Sequence, residues 1–137
     1  MKIRLFDKDT NSVIYPEGHV VFNRGDIGDR MYAVIGGSVD IIIQGRTIET
    51  VEAGGVFGEM ALIEGGGPRS ASAVVRSEAK LVPIDQNRFL FLVQQTPFFA
   101  VQLLTIVTQR LRRMDQKLDI ELPESGAESK AQNVPQG

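Results

Sequence analysis

The chain has 137 residues, 42% of them hydrophobic and 23% charged, with a formal net charge of −2, a size that suits one compact domain and no second module. It contains no cysteine and a single histidine, His19, which excludes disulfides, thiol catalysis, thiolate metal sites and the His-rich metal clusters of small β-barrel enzymes. The slightly acidic balance speaks against binding nucleic acid through bulk positive charge, and 14 glycines punctuate the chain as many tight turns require.

The N-terminal stretch from Met1 to Val13 meets charged residues before any apolar run develops, so it lacks the apolar core of a signal peptide, and the chain is expected in the cytoplasm. From Ser12 to Asp85, short β-branched and aromatic runs alternate with glycine or Asx turns: VIY, HVVF, MYAVI, SVDIII, RTIETV, then SAVV and LVPI. This rhythm predicts a mainly β chain, a jelly-roll-like β-roll (double-stranded β-helix) over about 12–85. His19 falls at a strand start and is expected to be exposed, and the glycine-aspartate turn at Gly25 to Asp29 reads as structural.

The period changes after Gln86. Arg88 to Gln94 read as a short helix, and Pro97 sits where a second begins, since its missing N–H is harmless at the first helical position. The two helices together span about 87–118. Leu104, Val107, Leu111, Met114 and Leu118 recur at the alternating spacing of a two-stranded coiled coil, which predicts a homodimer through this helix, with folding back on the roll as the alternative. Phe98, Phe99, Val101 and Leu103 widen the apolar face near its start, and Phe98 and Phe99 read as core. Arg110, Arg112, Arg113 and Lys117 form a basic stretch whose default reading is a solvated face. The longest apolar stretches, Val39 to Ile43 and Pro97 to Val107, fall short of the roughly 20 residues a membrane span needs. Pro123 to Gly137 carry no aromatic residue, so a domain is expected over 1–121 and a disordered tail over 122–137.

The chemistry concentrates in Val56 to Val75, VFGEMALIEGGGPRSASAVV. Gly58 permits close backbone approach, and Glu59 to Leu62 predict a short helix whose free N–H groups point at a negative ligand. Arg69 supplies a planar, permanently charged fork for phosphate oxygens, and its neighbours Ser70 and Ala71 are small enough for a ligand to reach the backbone. Glu59 repels a phosphate unless it points away and accepts hydrogen bonds from hydroxyls, so the residues point to a sugar phosphate, a nucleotide-like ligand. No nucleophile or second acid accompanies Glu59, and no enzyme activity is expected.

FGEMAL at Phe57 to Leu62 and PRSAS at Pro68 to Ser72, preceded by GDIGDRMYAVIGGSVDI at Gly25 to Ile41, resemble the phosphate-binding cassette of cyclic-nucleotide-binding domains. Such domains occur in bacterial catabolite activator proteins and protein kinase regulatory subunits. The resemblance covers about Ser12 to Leu118. It implies a β-roll with a short cassette helix and two following helices, the last lying over the base. It also implies a ligand site formed by Phe57, Gly58, Glu59, Met60, Ala61, Leu62, Arg69, Ser70 and Ala71. Within that site Glu59 would accept the ribose 2′-hydroxyl, Arg69 would pair with the cyclic phosphate, and backbone N–H groups near Gly58, Ala61 and Ser70 would complete the cradle. Ser70 resembles the serine of catabolite activator proteins whose hydroxyl reaches the phosphate, which favours cAMP. A threonine at this place serves guanine recognition in cGMP-dependent kinases, so the base stays open.

Leu104, Val107, Arg110, Leu111 and Met114 are the residues expected to lid the base or form the dimer seam. The ligand implied is cAMP or cGMP, with no further cofactor and no metal. The chain departs from the family pattern in three ways. The leading helical segment is missing or reduced to Met1 to Asn11, the loop holding Gly65 to Gly67 is one residue longer than in the kinase subunits, and no helix-turn-helix pattern follows the last helix. The chain is therefore not expected to bind nucleic acid by itself. What the resemblance implies is a non-enzymatic sensor that signals through its last helix to an effector protein of unknown identity. The alternative is a structural or interaction module of the same fold that binds no nucleotide.

Overall fold

Glycine and Asx turns cut the chain into β1 (Val13–Tyr15), β2 (Val20–Phe22), β3 (Ile27–Gly28), β4 (Arg30–Ile43), β5 (Arg46–Glu52) and β6 (Val56–Phe57). Then come helix α1 (Glu59–Ile63), β7 (Gly67–Pro68), β8 (Ser72–Asp85) and helices α2 (Gln86–Gln95) and α3 (Phe98–Glu121). The computed structural model describes residues 1–121, with side chains described through Gln116. The tail expected over 122–137 and the side chains of Lys117 and Leu118 lie outside the described residues.

MYAVI and SVDIII, which read as two strands, are one. The register of β4 against β8 shifts between Val34 and Gly36, and again before Ser38 and Val39, so the Gly36-Gly37 pair bends the strand without breaking it. SAVV and LVPI likewise join in β8, which runs antiparallel to β4 from the pair Arg30 and Asp85 to the pair Ile42 and Ser72. The main sheet has the order β1-β8-β4-β5, with β2 added to β8 and β6 to β4, while β3 and β7 form a separate two-stranded sheet. This mostly antiparallel arrangement is the expected β-roll.

Residues alternating along the two long strands face inward. Tyr32, Val34 and Val39 from β4 meet Ala73, Val75, Ala79 and Leu81 from β8, with Val51 and Phe57 completing the cluster and Phe22 packed against it. Each large apolar side chain buried there contributes roughly 1.5–3 kcal/mol.

Helix α2 starts two residues before the sequence expectation because the Asp85 carboxylate accepts a hydrogen bond from the Arg88 backbone N–H (2.9 Å) and caps it. Before α3, the carbonyls of Thr96 and Pro97 accept from the N–H groups of Phe99 (2.9 Å) and Ala100 (3.0 Å). Phe99 is fully buried, its ring 6.0 Å from Phe89, but Phe98 is 61% exposed and not core as the sequence suggested. Adjacent helical residues point about 100° apart, so a single apolar face cannot take both.

The first eleven residues form turns rather than a helix, and they pack. Ile3 and Phe6 are buried, the Ile3 N–H donates to the Gly54 carbonyl (2.7 Å), and the Phe6 ring meets Phe99 edge-on at 5.7 Å. Asp9 forms an ion pair with Arg88. Contacts divide the chain into two units, one from Met1 to Leu103 and one beginning at Leu104 within α3. Among the described residues no single helix is long and apolar enough to cross a membrane.

Candidate functional site

The cassette and the glycine-aspartate turn are tied backbone to backbone. The Asp26 N–H donates to the Asn23 carbonyl (3.1 Å) and the Asp26 carboxylate accepts from the Asn23 N–H (2.9 Å), which closes a tight four-residue turn. Against that turn, the Arg69 N–H donates to the Asp26 carbonyl (2.7 Å) and the Gly25 N–H donates to the Arg69 carbonyl (2.9 Å). Ile27 and Gly28 of β3 pair with Pro68 and Gly67 of β7. The turn is structural, as expected, but what it supports is the backbone of the one arginine the chemistry singled out.

On the other side, Gly58 has φ +78°, a left-handed conformation that favours glycine, and it reverses the chain from β6 into α1. The end of α1 is closed by its own loop, the Gly65 N–H donating to the Leu62 carbonyl (3.1 Å) and the Gly66 N–H to the Ala61 carbonyl (2.7 Å). Side-chain contacts then join the two halves of the cassette: Arg69 Nη1 donates to the Gly58 carbonyl (3.1 Å), and the Ser70 hydroxyl lies 3.7 Å from Met60 Sδ.

Glu59 and Arg69 are buried, and Phe57, Ala61, Leu62 and Ala71 also have buried side chains. Met60 and Ser70 are exposed. The Arg69 guanidinium is only 6% exposed, yet among the described residues no carboxylate lies within ion-pair distance of it. Its Nε is buried without an acceptor, and its face lies 4.0 Å from the centre of the Phe22 ring. Burial lowers its pKa, a pull opposed by Tyr32 and Asp29 nearby. An arginine cannot shed its proton in a protein, so this burial is a cost that the Gly58 carbonyl and the Phe22 ring offset only in part. Asp29 gives little relief, because Arg30 engages its carboxylate (2.9 Å) and holds its pKa below the ordinary value.

A polar cleft of about 240 Å³ lies nearby, lined by Asp29, Leu62, Gly65, Gly66, Asp85, Gln86 and Asn87. Two carboxylates and no cation suit it poorly to an anion. The chemistry sits instead at Arg69. Among the described residues no group of three metal-ligating side chains occurs. Phe22 carries no signal of this role in the sequence, and Gly28 and Asp26 read there only as parts of the glycine-aspartate turn, because their relation to Arg69 exists only after folding.

Helix α3 presents a different surface. Leu104, Leu111 and Met114 are 63%, 58% and 50% exposed, while Val107 and Arg110 are half-buried. His19, elsewhere on the roll, is exposed beside Tyr15, ring centres 4.9 Å apart.

Comparison with known proteins bears on the same segment. The cyclic AMP receptor protein of Thermus thermophilus is 35% identical over 112 residues, 78% of this chain and 51% of its own. The CRP-like cAMP-activated global transcriptional regulator of Mycobacterium tuberculosis is 32% identical over 121 residues, 85% of this chain and 54% of its own. The chain thus spans about half the length of these curated relatives. A cyclic nucleotide-binding domain from Methylobacillus flagellatus, solved by crystallography, superposes with a TM-score of 0.71 at 29% identity, over 82% of this chain and 68% of that one. The family model for the cyclic nucleotide-binding domain matches residues 12–96, which contain the turn, the cassette and the buried arginine, and the chain belongs to that family.

Proposed function

We propose that the chain is a non-enzymatic sensor that binds a cyclic nucleotide, cAMP in preference to cGMP, and signals through α3 to a partner. It works in the cytoplasm, with no cofactor and no nucleic-acid contact of its own. The observation that carries this reading is the buried Arg69, whose backbone is clamped to the Gly25-Asp26 turn and whose guanidinium has no carboxylate within ion-pair distance among the described residues. A phosphate is the counter-ion such a fork fits best. In this reading Glu59 accepts the ribose 2′-hydroxyl, Ser70 reaches the phosphate, and the peptide groups around Gly58, Ala61 and Ser70 complete the cradle. The names of the relatives, a cyclic AMP receptor and a cAMP-activated regulator, support cAMP as the preferred ligand.

The output is the position of α3, whose exposed Leu104, Leu111 and Met114 form the seam of a homodimer or of a complex with an effector protein. A ligand shifts such an equilibrium only by its differential affinity for the two states, so α3 or the cassette must contact the ligand differently in each.

Calorimetric titration with cAMP and with cGMP, on the native chain and on Arg69→Ala, tests the reading. The native chain is expected to bind cAMP more tightly. Arg69→Ala is expected to lose about 2–5 kcal/mol, roughly thirtyfold to several thousandfold in Kd. Unchanged affinity in the variant, or no binding and no thermal stabilisation of the native chain by either nucleotide at millimolar concentration, overturns it in favour of an interaction module.

A further inference from the structure

We propose that Phe22 and Gly28 are positioning residues for the site, forming a slot that holds the Arg69 guanidinium where an anion meets it. The inference rests on the reading of Arg69 as the phosphate ligand and adds what keeps that ligand in place. An arginine side chain has large rotamer freedom, and an anion site built on one is weakened by every rotamer that points away. The backbone of Arg69 is clamped between Gly25 and Asp26, but that fixes the root of the side chain and not its head.

Three contacts fix the head. Nη1 donates to the Gly58 carbonyl (3.1 Å), the Phe22 ring lies against the guanidinium face with its centre 4.0 Å from Cζ, and Gly28 closes on the group from β3. A Cβ at Gly28 would stand 2.1 Å from Nε, 2.3 Å from Cζ and 2.7 Å from Nη2, closer than atoms tolerate. Gly28 does not adopt a left-handed conformation, so a side chain there would meet the guanidinium and not backbone strain, and it would fit only by displacing that group. Phe22 is itself braced, with Phe57 at 5.9 Å and Tyr32 at 6.2 Å between ring centres.

The usual partner for a buried arginine is a carboxylate, but a carboxylate would cancel the charge and compete with the phosphate for the same N–H groups. An aromatic face avoids both problems. Its quadrupole attracts the cation while it carries no net charge and accepts none of the in-plane hydrogen bonds. The slot therefore holds Arg69 without a charged partner and leaves its Nε–H without a protein acceptor.

The test uses the full chain, with cAMP calorimetry and the Arg69 Nε–H resonance in the ligand-free protein, assigned by its loss in Arg69→Lys. Over an aromatic ring that proton is expected to be displaced by the ring current. In Phe22→Leu, which keeps an apolar side chain but no ring, it is expected to return to the ordinary arginine position, with a cAMP Kd weakened about three- to thirtyfold. Gly28→Ala, which leaves the core cluster untouched, is expected to move the same resonance and weaken binding similarly, and it stands in should Phe22→Leu fail to fold. Wild-type affinity in both variants overturns the proposal. So does weakened binding with the Nε–H signal unmoved, which makes Phe22 a core residue only. If the native chain binds no cAMP, the proposed function fails, and the resonance in the ligand-free variants still decides whether the slot exists.

Discussion

In the cassette two charged side chains, Glu59 and Arg69, are withdrawn from water, whereas α3 leaves Leu104, Leu111 and Met114 in it. Both arrangements raise the free energy of the isolated chain: the first by burying a cation without a counter-ion, the second by exposing apolar surface at coiled-coil spacing. A single exposed leucine needs no explanation, but a spaced row of them does. Arg88 supplies the contrast within the same domain. It too is partly buried, and it has Asp9 as counter-ion. The difference between the two arginines separates a charge with a carboxylate partner in the fold from one without, and α3 shows the apolar counterpart of the second case.

The largest effect is expected at Arg69. Replacing it with methionine fills the slot without a charge, so cAMP binding is lost while the ligand-free chain becomes more stable, by about 1–2 kcal/mol in urea unfolding. A clear loss of stability instead would place Arg69 among the structural residues and dissolve the comparison with Arg88. On α3, Leu111→Glu puts a charge where the dimer reading buries roughly 2 kcal/mol of apolar side chain per helix. Light scattering is expected to report a monomer, with cAMP affinity per chain reduced only as far as dimerisation supports it. A mass equal to that of the native chain would remove the seam as an interface.

The smallest effect is expected at the satisfied pair. The hydrogen bond from Arg88 holds the Asp9 carboxyl below its ordinary value of 3.8, against the opposing effect of burial. A depressed carboxyl pKa gives stability that is fully present above the unfolded value and is lost as pH falls through the folded one. Asp9→Asn is therefore expected to cost about 1 kcal/mol at neutral pH. The gap between the variant and the native chain should close as acid protonates Asp9, starting near its ordinary value and finishing below it. Thermal unfolding along a pH series checks this, and a gap that persists in strong acid would assign the loss to packing.

The cassette was legible because its chemistry is local. Gly58, Glu59, Arg69 and Ser70 lie within a short stretch whose residue types already conflict unless a sugar phosphate reconciles them. The roll is legible through strand alternation, although MYAVI and SVDIII read as two strands because the Gly36-Gly37 pair looks like a break and acts as a bend. Phe98 and Phe99 were indistinguishable in a region apolar on several sides, and only the packing of Phe6 and Phe89 selected Phe99. The roles of Phe22 and Gly28 were illegible for a stronger reason: neither residue carries chemistry of its own, and each gains its role from where Arg69 ends up. Ile3 and Phe6 show the same limit. They sit in a turn with no period, and their partners Gly54 and Phe99 arrive from elsewhere in the chain.

The edge-on contact between Phe6 and Phe99 ties the two ends of the roll together outside the stretch that the family model matches. The stretch that the family model matches, residues 12–96, contains neither ring. The matched stretch and the packed one thus have different borders around the roll. A protein cut to the shared stretch would lose Ile3, Phe6, Phe99 and Leu103, all of them buried, from its two ends at once. The piece that holds its own interior runs at least from Ile3 to Leu103, so transplanting the roll into another protein means carrying both margins along with the matched centre.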